Sequence, residues 1–163
     1  MGQDSLYSLS KKIGRLLVEK GALMAAAESC TGGWIAKVMT DVPGSSDWFD
    51  CGFVTYSNQS KSALLGVSDA ILKRYGAVSE EVVRAMVSGA LAASNAQVAV
   101  AVSGIAGPAG GTKEKPVGTV WFAWERSGFP CVSAKHSLYG DRESVRRKTV
   151  MIALQGIQAV YGA

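Results

Sequence analysis

The chain has 163 residues, 48% hydrophobic and 18% charged, with a formal net charge of +4, which is enough for one domain with a core of its own. Its Lys and Arg are spread along the sequence rather than gathered into a stripe; this argues against a nucleic-acid surface and suits an anionic small molecule. No apolar run is long enough to cross a membrane, no signal peptide opens the chain, "MGQDSL" has Leu6 where acylation needs Ser or Thr, and three cysteines without CxxC fit a reducing cytoplasm.

Leu6, Leu9, Ile13, Leu16 and Leu17 recur at helical spacing and Gly21 ends the pattern, which predicts a first helix. Residues 22–28 read as a short buried strand and 31–40 as a helix closed by "DVPGSS". "CGFVTYS" (51–57) is rich in β-branched and aromatic residues, as a strand is. Ser57 or Asn58 would cap a short helix running to Leu65. Ser79, Glu80 and Glu81 precede the stripe Val82, Val83, Met86, Val87, Ala90, Leu91, a helix with its N-terminal signature. "AQVAVAVSG" (96–104) is a continuous apolar run ending in glycine, the pattern of a central strand covered on both faces. "GTVWFAWER" (118–126) and "CVSAKHSLY" (131–139), separated by "SGFP", read as an antiparallel hairpin. Asp141 would cap a last helix with Val145, Val150, Leu154 and Ile157 inward. The early strands are joined by helices and the late ones by a hairpin. The expected fold is a three-layer α/β/α sandwich with a mixed, mostly parallel sheet and an antiparallel hairpin in the C-terminal half. No linker or repeat divides the sequence, so residues 1–163 read as one domain.

The richest stretch for chemistry is "ESCTGG", residues 28–33. Its plain reading is a helix cap, since Ser, Thr and Gly are ordinary there. Its functional reading is a nucleophile at a helix start, with glycines that admit a ligand to the backbone and N–H groups that hold a developing oxyanion. A serine nucleophile needs a base. The one histidine, His136, falls in a late strand and reads as solvent-facing. Lys61 follows the second strand, and strand tips in an α/β sheet converge on one crevice. Ser29 and Lys61 can therefore meet, with Tyr56 between them, provided that burial or nearby cations lower the lysine's pKa. "VSGIAGPAGGTKEK" adds a glycine loop with Lys113 and Lys115 after Ser103 and Gly104; it reads as a phosphate cradle or a flexible surface loop. Arg142, Arg146 and Arg147 open the last helix; one of them, Arg142 first, would clamp a phosphate or carboxylate. No metal-ligand spacing is present.

"AESCTGGWIAKVMTDVPGSSDWFDCGFVTYSNQSK", "GAVSEEVV", "VSGIAGPAGG" and "KPVGTVWFA" together resemble the CinA-like family, the C-terminal domain of competence-damage-inducible proteins, over about Leu6 to Tyr161. The stand-alone form it resembles implies hydrolysis of the carboxamide of nicotinamide mononucleotide to nicotinate mononucleotide and ammonia, with no cofactor, in a cytoplasmic homodimer or higher homo-oligomer. The family's serine–lysine pair matches Ser29 and Lys61, and its substrate-shaping positions match Ser46 of "PGSS", Tyr56, Ser103 and Arg142. The expected catalytic residues are Ser29, Lys61 and Tyr56. The expected substrate contacts are Glu28, Cys30, Thr31, Gly32, Gly33, Ser46, Ser103, Gly104 and Arg142. Either Ser29 forms an ester or Lys61 activates water directly. The alternative function is a pyridine-nucleotide-binding module without turnover.

Overall fold

The computed structural model describes residues 3–162. Met1 and Gly2, which open the "MGQDSL" stretch, and Ala163 lie outside them. One sheet holds β1 (Met24–Glu28), β2 (Phe49–Val54), β3 (Val98–Gly104), β4 (Thr119–Arg126) and β5 (Val132–Ser137), in the order β2-β1-β3-β4-β5. β1 is parallel to β2 and β3, β4 is antiparallel to β3, and β5 is antiparallel to β4. All strands but β4 thus point one way. The apolar run at 96–104 becomes the central strand β3, buried from Val98 to Ser103.

Helices α1 (Gln3–Glu19), α2 (Trp34–Thr40) and α6 (Arg142–Val160) pack on one face; α3 (Asn58–Leu65), α4 (Asp69–Tyr75) and α5 (Glu80–Ala92) pack on the other. Alternation along a strand makes the two faces differ. β3 sends Val98, Val100 and Val102 toward α6, where β4 adds Val120, Phe122 and Trp124. The opposite face is alanine: Ala25, Ala27, Ala99, Ala101 and Ala123. Small side chains let α5 lie close to the sheet. At Gly89 it also presses on the end of α3, so that an added Cβ would sit 2.0 Å from the Leu65 carbonyl oxygen. Helix propensity alone favours Gly→Ala by about 1 kcal/mol, whereas overpacking against backbone costs about 1–3 kcal/mol. We expect Gly89→Ala to lower the urea midpoint, and a raised midpoint would contradict the close approach.

Ser57, Ser79 and Asp141 cap α3, α5 and α6 by accepting from the N–H groups of Ser60, Val82 and Ser144, which settles Ser57 over Asn58. Four elements differ from expectation. α2 begins at Trp34 and not at Thr31, because Gly32 and Gly33 adopt φ of +60° and +104°, left-handed values that no helix can include. α4 and a 3-10 turn at Ser45–Asp47 are too short to show a hydrophobic period. β2 starts two residues earlier than its β-rich stretch and stops before Thr55. Among the described residues no helix is long and apolar enough to cross a membrane.

Register decides where the chemistry collects. Glu28 pairs with Val54 on one side and Val102 on the other. The residues that follow, Ser29, Thr55 with Tyr56, and Ser103 with Gly104, therefore emerge together at the carboxyl ends of three parallel strands, where α/β sheets open a crevice.

Candidate active site

Lys61 is 1% exposed, one of the largest fully buried side chains. It reaches back from the first turns of α3 to the tip of β1. Its Nζ lies 3.0 Å from Ser29 Oγ, 2.7 Å from the Thr55 carbonyl oxygen and 3.2 Å from that of Tyr56. A carbonyl only accepts. The two carbonyls thus hold two of the lysine's N–H groups and aim the third position at Ser29. In the neutral amine that position is the lone pair, and the Ser29 hydroxyl donates to it. Burial pushes the Lys61 pKa below its ordinary 10.5, with a smaller opposing pull from the Cys30 thiol. Among the described residues Lys61 has no carboxylate partner; its polar contacts are Ser29 Oγ and the two carbonyls.

The expected meeting of Ser29 and Lys61 is thus found, but Tyr56 does not stand between them. Tyr56 serves Lys61 through its carbonyl, and its side chain is 59% exposed. Its hydroxyl accepts from Arg142 Nη2 at 3.1 Å, while Arg142 Nη1 donates to the Gly107 carbonyl at 2.8 Å. Arg142 thereby joins the β2–α3 connection to the glycine loop across the mouth of a cavity of about 290 Å³. Ser29, Cys30, Tyr56, Lys61, Ser103, Gly104 and Arg142 all line it, with Ile105 to Gly107 along one wall.

The other expected substrate contacts do not reach this cavity. Glu28 is fully buried and turned away. Its Oε1 accepts from the Thr31 hydroxyl at 2.6 Å, from Gly33 N–H at 3.2 Å and from Ile35 N–H at 2.9 Å; its Oε2 accepts from Ala36 N–H at 3.0 Å. The start of α2 is therefore stoppered by a carboxylate, the favoured charge at a helix N-terminus, and cannot be the oxyanion hole. Thr31 is spent as a Glu28 donor. Gly32 N–H goes to the Ser29 carbonyl and Trp34 N–H to that of Thr31. Among the described residues, the N–H groups of Cys30 and Thr31 in this turn have no backbone acceptor. Gly32 and Gly33 face an outer groove beside Trp34, Lys37 and Arg146.

Ser46 is exposed in the 3-10 turn before β2. The adjoining Trp48 carbonyl accepts from Met24 N–H at the start of β1, so Ser46 lies at the opposite end of the sheet. Five strand steps of about 3.3 Å put it about 16 Å away. In the glycine loop, Lys115 donates to the Tyr75 carbonyl at 2.6 Å on the far side, and neither Lys113 nor Lys115 lines the cavity. His136 is half-buried rather than solvent-facing, edge-on to Phe122 at 5.3 Å, and pairs with Val120 away from the site. Cys30 lines the cavity, but burial above all raises its thiol pKa to about 11. Among the described residues no group of three or more His, Cys, Asp or Glu is placed to hold a metal ion.

Sequence reasoning missed what Arg146 does. Its Nε donates to the Cys30 carbonyl at 3.0 Å and its Nη2 to that of Thr31 at 3.1 Å, with the guanidinium 5.6 Å from the Trp34 ring centroid. The available signal was its spacing: Arg142 and Arg146 are four residues apart and share a helix face.

The three-layer α/β fold thus sets a buried lysine against a serine at the carboxyl ends of its parallel strands. The chain belongs to the CinA C-terminal domain family, whose match runs over residues 6–161. It is 55% identical over 155 residues to the nicotinamide-nucleotide amidohydrolase PncC of Enterobacter agglomerans, covering 95% of this chain and 94% of that protein. It is 51% identical over 155 residues to the Escherichia coli (strain K12) protein of the same name, with the same coverage of both. The crystal structure of competence/damage inducible protein CihA from Agrobacterium tumefaciens superposes with a TM-score of 0.94 at 40% identity, covering 99% of this chain and 97% of that one.

Proposed function

We propose that this chain is a nicotinamide-nucleotide amidase that hydrolyses the carboxamide of nicotinamide mononucleotide with Ser29 as nucleophile and Lys61 as base. The observation that carries the reading is the buried Lys61 amine, 3.0 Å from Ser29 Oγ and held by two carbonyls. The names of the relatives supply the substrate. Lys61, neutral, takes the Ser29 proton as Oγ attacks the amide carbon. The oxyanion of the tetrahedral intermediate takes the Cys30 N–H, since the residue after a nucleophile is a common donor. The Lys61 ammonium then protonates the departing nitrogen, the C–N bond breaks, and ammonia leaves an acyl ester on Ser29. Water, deprotonated by the same amine, cleaves the ester and restores Ser29. The pyridinium ring withdraws electrons from the amide and lowers the demand on the oxyanion donor. The direct test is ammonia release from nicotinamide mononucleotide by the purified chain; its absence would leave a binding module.

Of the two basic side chains that line the cavity, Lys61 faces Ser29, and Arg142 takes the phosphate in this reading. It now holds the Tyr56 hydroxyl and the Gly107 carbonyl, and a phosphate would give it a charged acceptor. Such a contact contributes roughly 1.5–3 kcal/mol, and about 1.4 kcal/mol is tenfold. We expect nicotinamide riboside to be at least about tenfold poorer in kcat/KM than the nucleotide, and Arg142→Ala to narrow that gap. Equal kcat/KM for the two substrates would remove the phosphate from the recognition.

A further inference from the structure

The turn that carries Ser29 is held at its two poles by groups of opposite charge. The Glu28 carboxylate collects the N–H groups of Gly33, Ile35 and Ala36 together with the Thr31 hydroxyl. Arg146, arriving from α6, collects the carbonyls of Cys30 and Thr31. A guanidinium is a rigid planar fork and takes both acceptors at once; an ammonium on a flexible stem cannot reproduce that geometry. The fork is itself placed, by the Trp34 ring at 5.6 Å and by Gly32, where an added Cβ would come within 3.4 Å of Arg146 Nη2. Peptide groups are planar and trans. Turning the Cys30 and Thr31 carbonyls toward α6 therefore also turns the N–H groups of Thr31 and Gly32 the opposite way, and Gly32 N–H closes the turn on the Ser29 carbonyl.

We propose that Arg146 is a positioning residue: it sets the Cys30 and Thr31 peptides and, through them, holds Ser29 Oγ against Lys61 Nζ. Arg146 does not line the cavity that Ser29 and Lys61 share, so it acts through the turn and not on the substrate. The inference rests on the amidase reading for its kinetic consequence, but not for its structural one.

Two measurements test it. The first needs no substrate. Cys30 follows Ser29, is 6% exposed, and reports on the turn when Cys51 and Cys131 are changed to serine. The Arg146 charge favours the Cys30 thiolate, so losing the charge alone would slow alkylation, whereas a released turn would speed it. We expect iodoacetamide to label Cys30 several-fold faster in Arg146→Ala and Arg146→Lys than in the parent, and to label Cys51 at an unchanged rate in a chain that keeps only that cysteine. In the second, with nicotinamide mononucleotide, kcat should fall on the order of 100-fold, the scale of a misplaced reacting group, with KM held within about twofold. Free guanidinium should restore part of kcat in Arg146→Ala and none in Ser29→Ala. If the alanine variant does not fold, the lysine variant carries both readouts. Slower or unchanged Cys30 labelling overturns the proposal, as does faster labelling of both cysteines. An unchanged kcat, with or without a raised KM, overturns it too. A parent chain that releases no ammonia would defeat the amidase reading, while the labelling result still judges the clamp.

Discussion

Ser29→Ala should abolish ammonia release from nicotinamide mononucleotide, by on the order of 10⁴-fold or more in kcat/KM, while Cys30→Ala leaves most of it. Three adjacent side chains could in principle attack, and their surroundings separate them. Thr31 is fully buried and its hydroxyl already donates to Glu28 at 2.6 Å. Cys30 faces the cavity, but a thiol pKa of about 11 leaves about one molecule in ten thousand as thiolate at pH 7. Only the thiolate is a competent nucleophile. Ser29 alone has a base in contact, at 3.0 Å, and a hydroxyl activated in place does not need to ionise beforehand. Steady-state kinetics on the two alanine variants checks the assignment. A dead Cys30→Ala beside an active Ser29→Ala would move the chemistry to sulfur.

Ser29 and Lys61 were legible in the sequence because each follows a strand, and adjacent parallel strands end side by side. The caps at Ser57, Ser79 and Asp141 were legible because a cap bonds within three residues of itself. What escaped was everything settled by longer reach. "ESCTGG" reads as a helix start at Thr31, yet two left-handed glycines delay the helix and let Glu28 fold back onto an N–H eight residues on. Tyr56 was expected between Ser29 and Lys61, but it meets Lys61 through its carbonyl and Arg142 through its hydroxyl, and one carbonyl looks like any other in a sequence. The loop lysines look ready for phosphate, but Lys115 is committed to Tyr75 across the surface, leaving Arg142, 35 residues from the Gly107 carbonyl it holds. Ser46 was carried by a short flanking motif, and the strand direction puts it at the wrong end of the sheet. Of the expected substrate contacts, Glu28, Thr31, Gly32, Gly33 and Ser46 do not line the cavity of this chain, although the first four lie within a few residues of Ser29 in sequence.

Lys61→Arg should be as inactive as Lys61→Ala, and pH dependence should say why. Arginine keeps a positive charge but does not deprotonate in proteins; if charge were the contribution of Lys61, the arginine variant would retain activity. The neutral amine is the working form, so kcat/KM of the parent chain should rise with pH through the Lys61 pKa, at a pH below the ordinary lysine value of 10.5 because burial disfavours the ammonium. His136→Ala should leave that limb unmoved, since His136 packs against Phe122 away from the cavity. Linkage gives a second reading that does not depend on turnover. With the folded pKa depressed, the unfolded chain binds more protons between that value and 10.5. Stability therefore rises with pH across this window, by at most about 1.4 kcal/mol per pH unit from this one group. Below the window both states carry the charge and the cost of burying it is felt in full. Lys61→Met has no proton to lose. The stability difference between parent and Lys61→Met, taken from urea unfolding at a series of pH values, should shift in favour of the parent as pH rises toward 10.5. A difference that stays flat in pH would mean that Lys61 titrates like any surface lysine, and an active Lys61→Arg would mean that a fixed charge suffices; either result would remove Lys61 from the role of base.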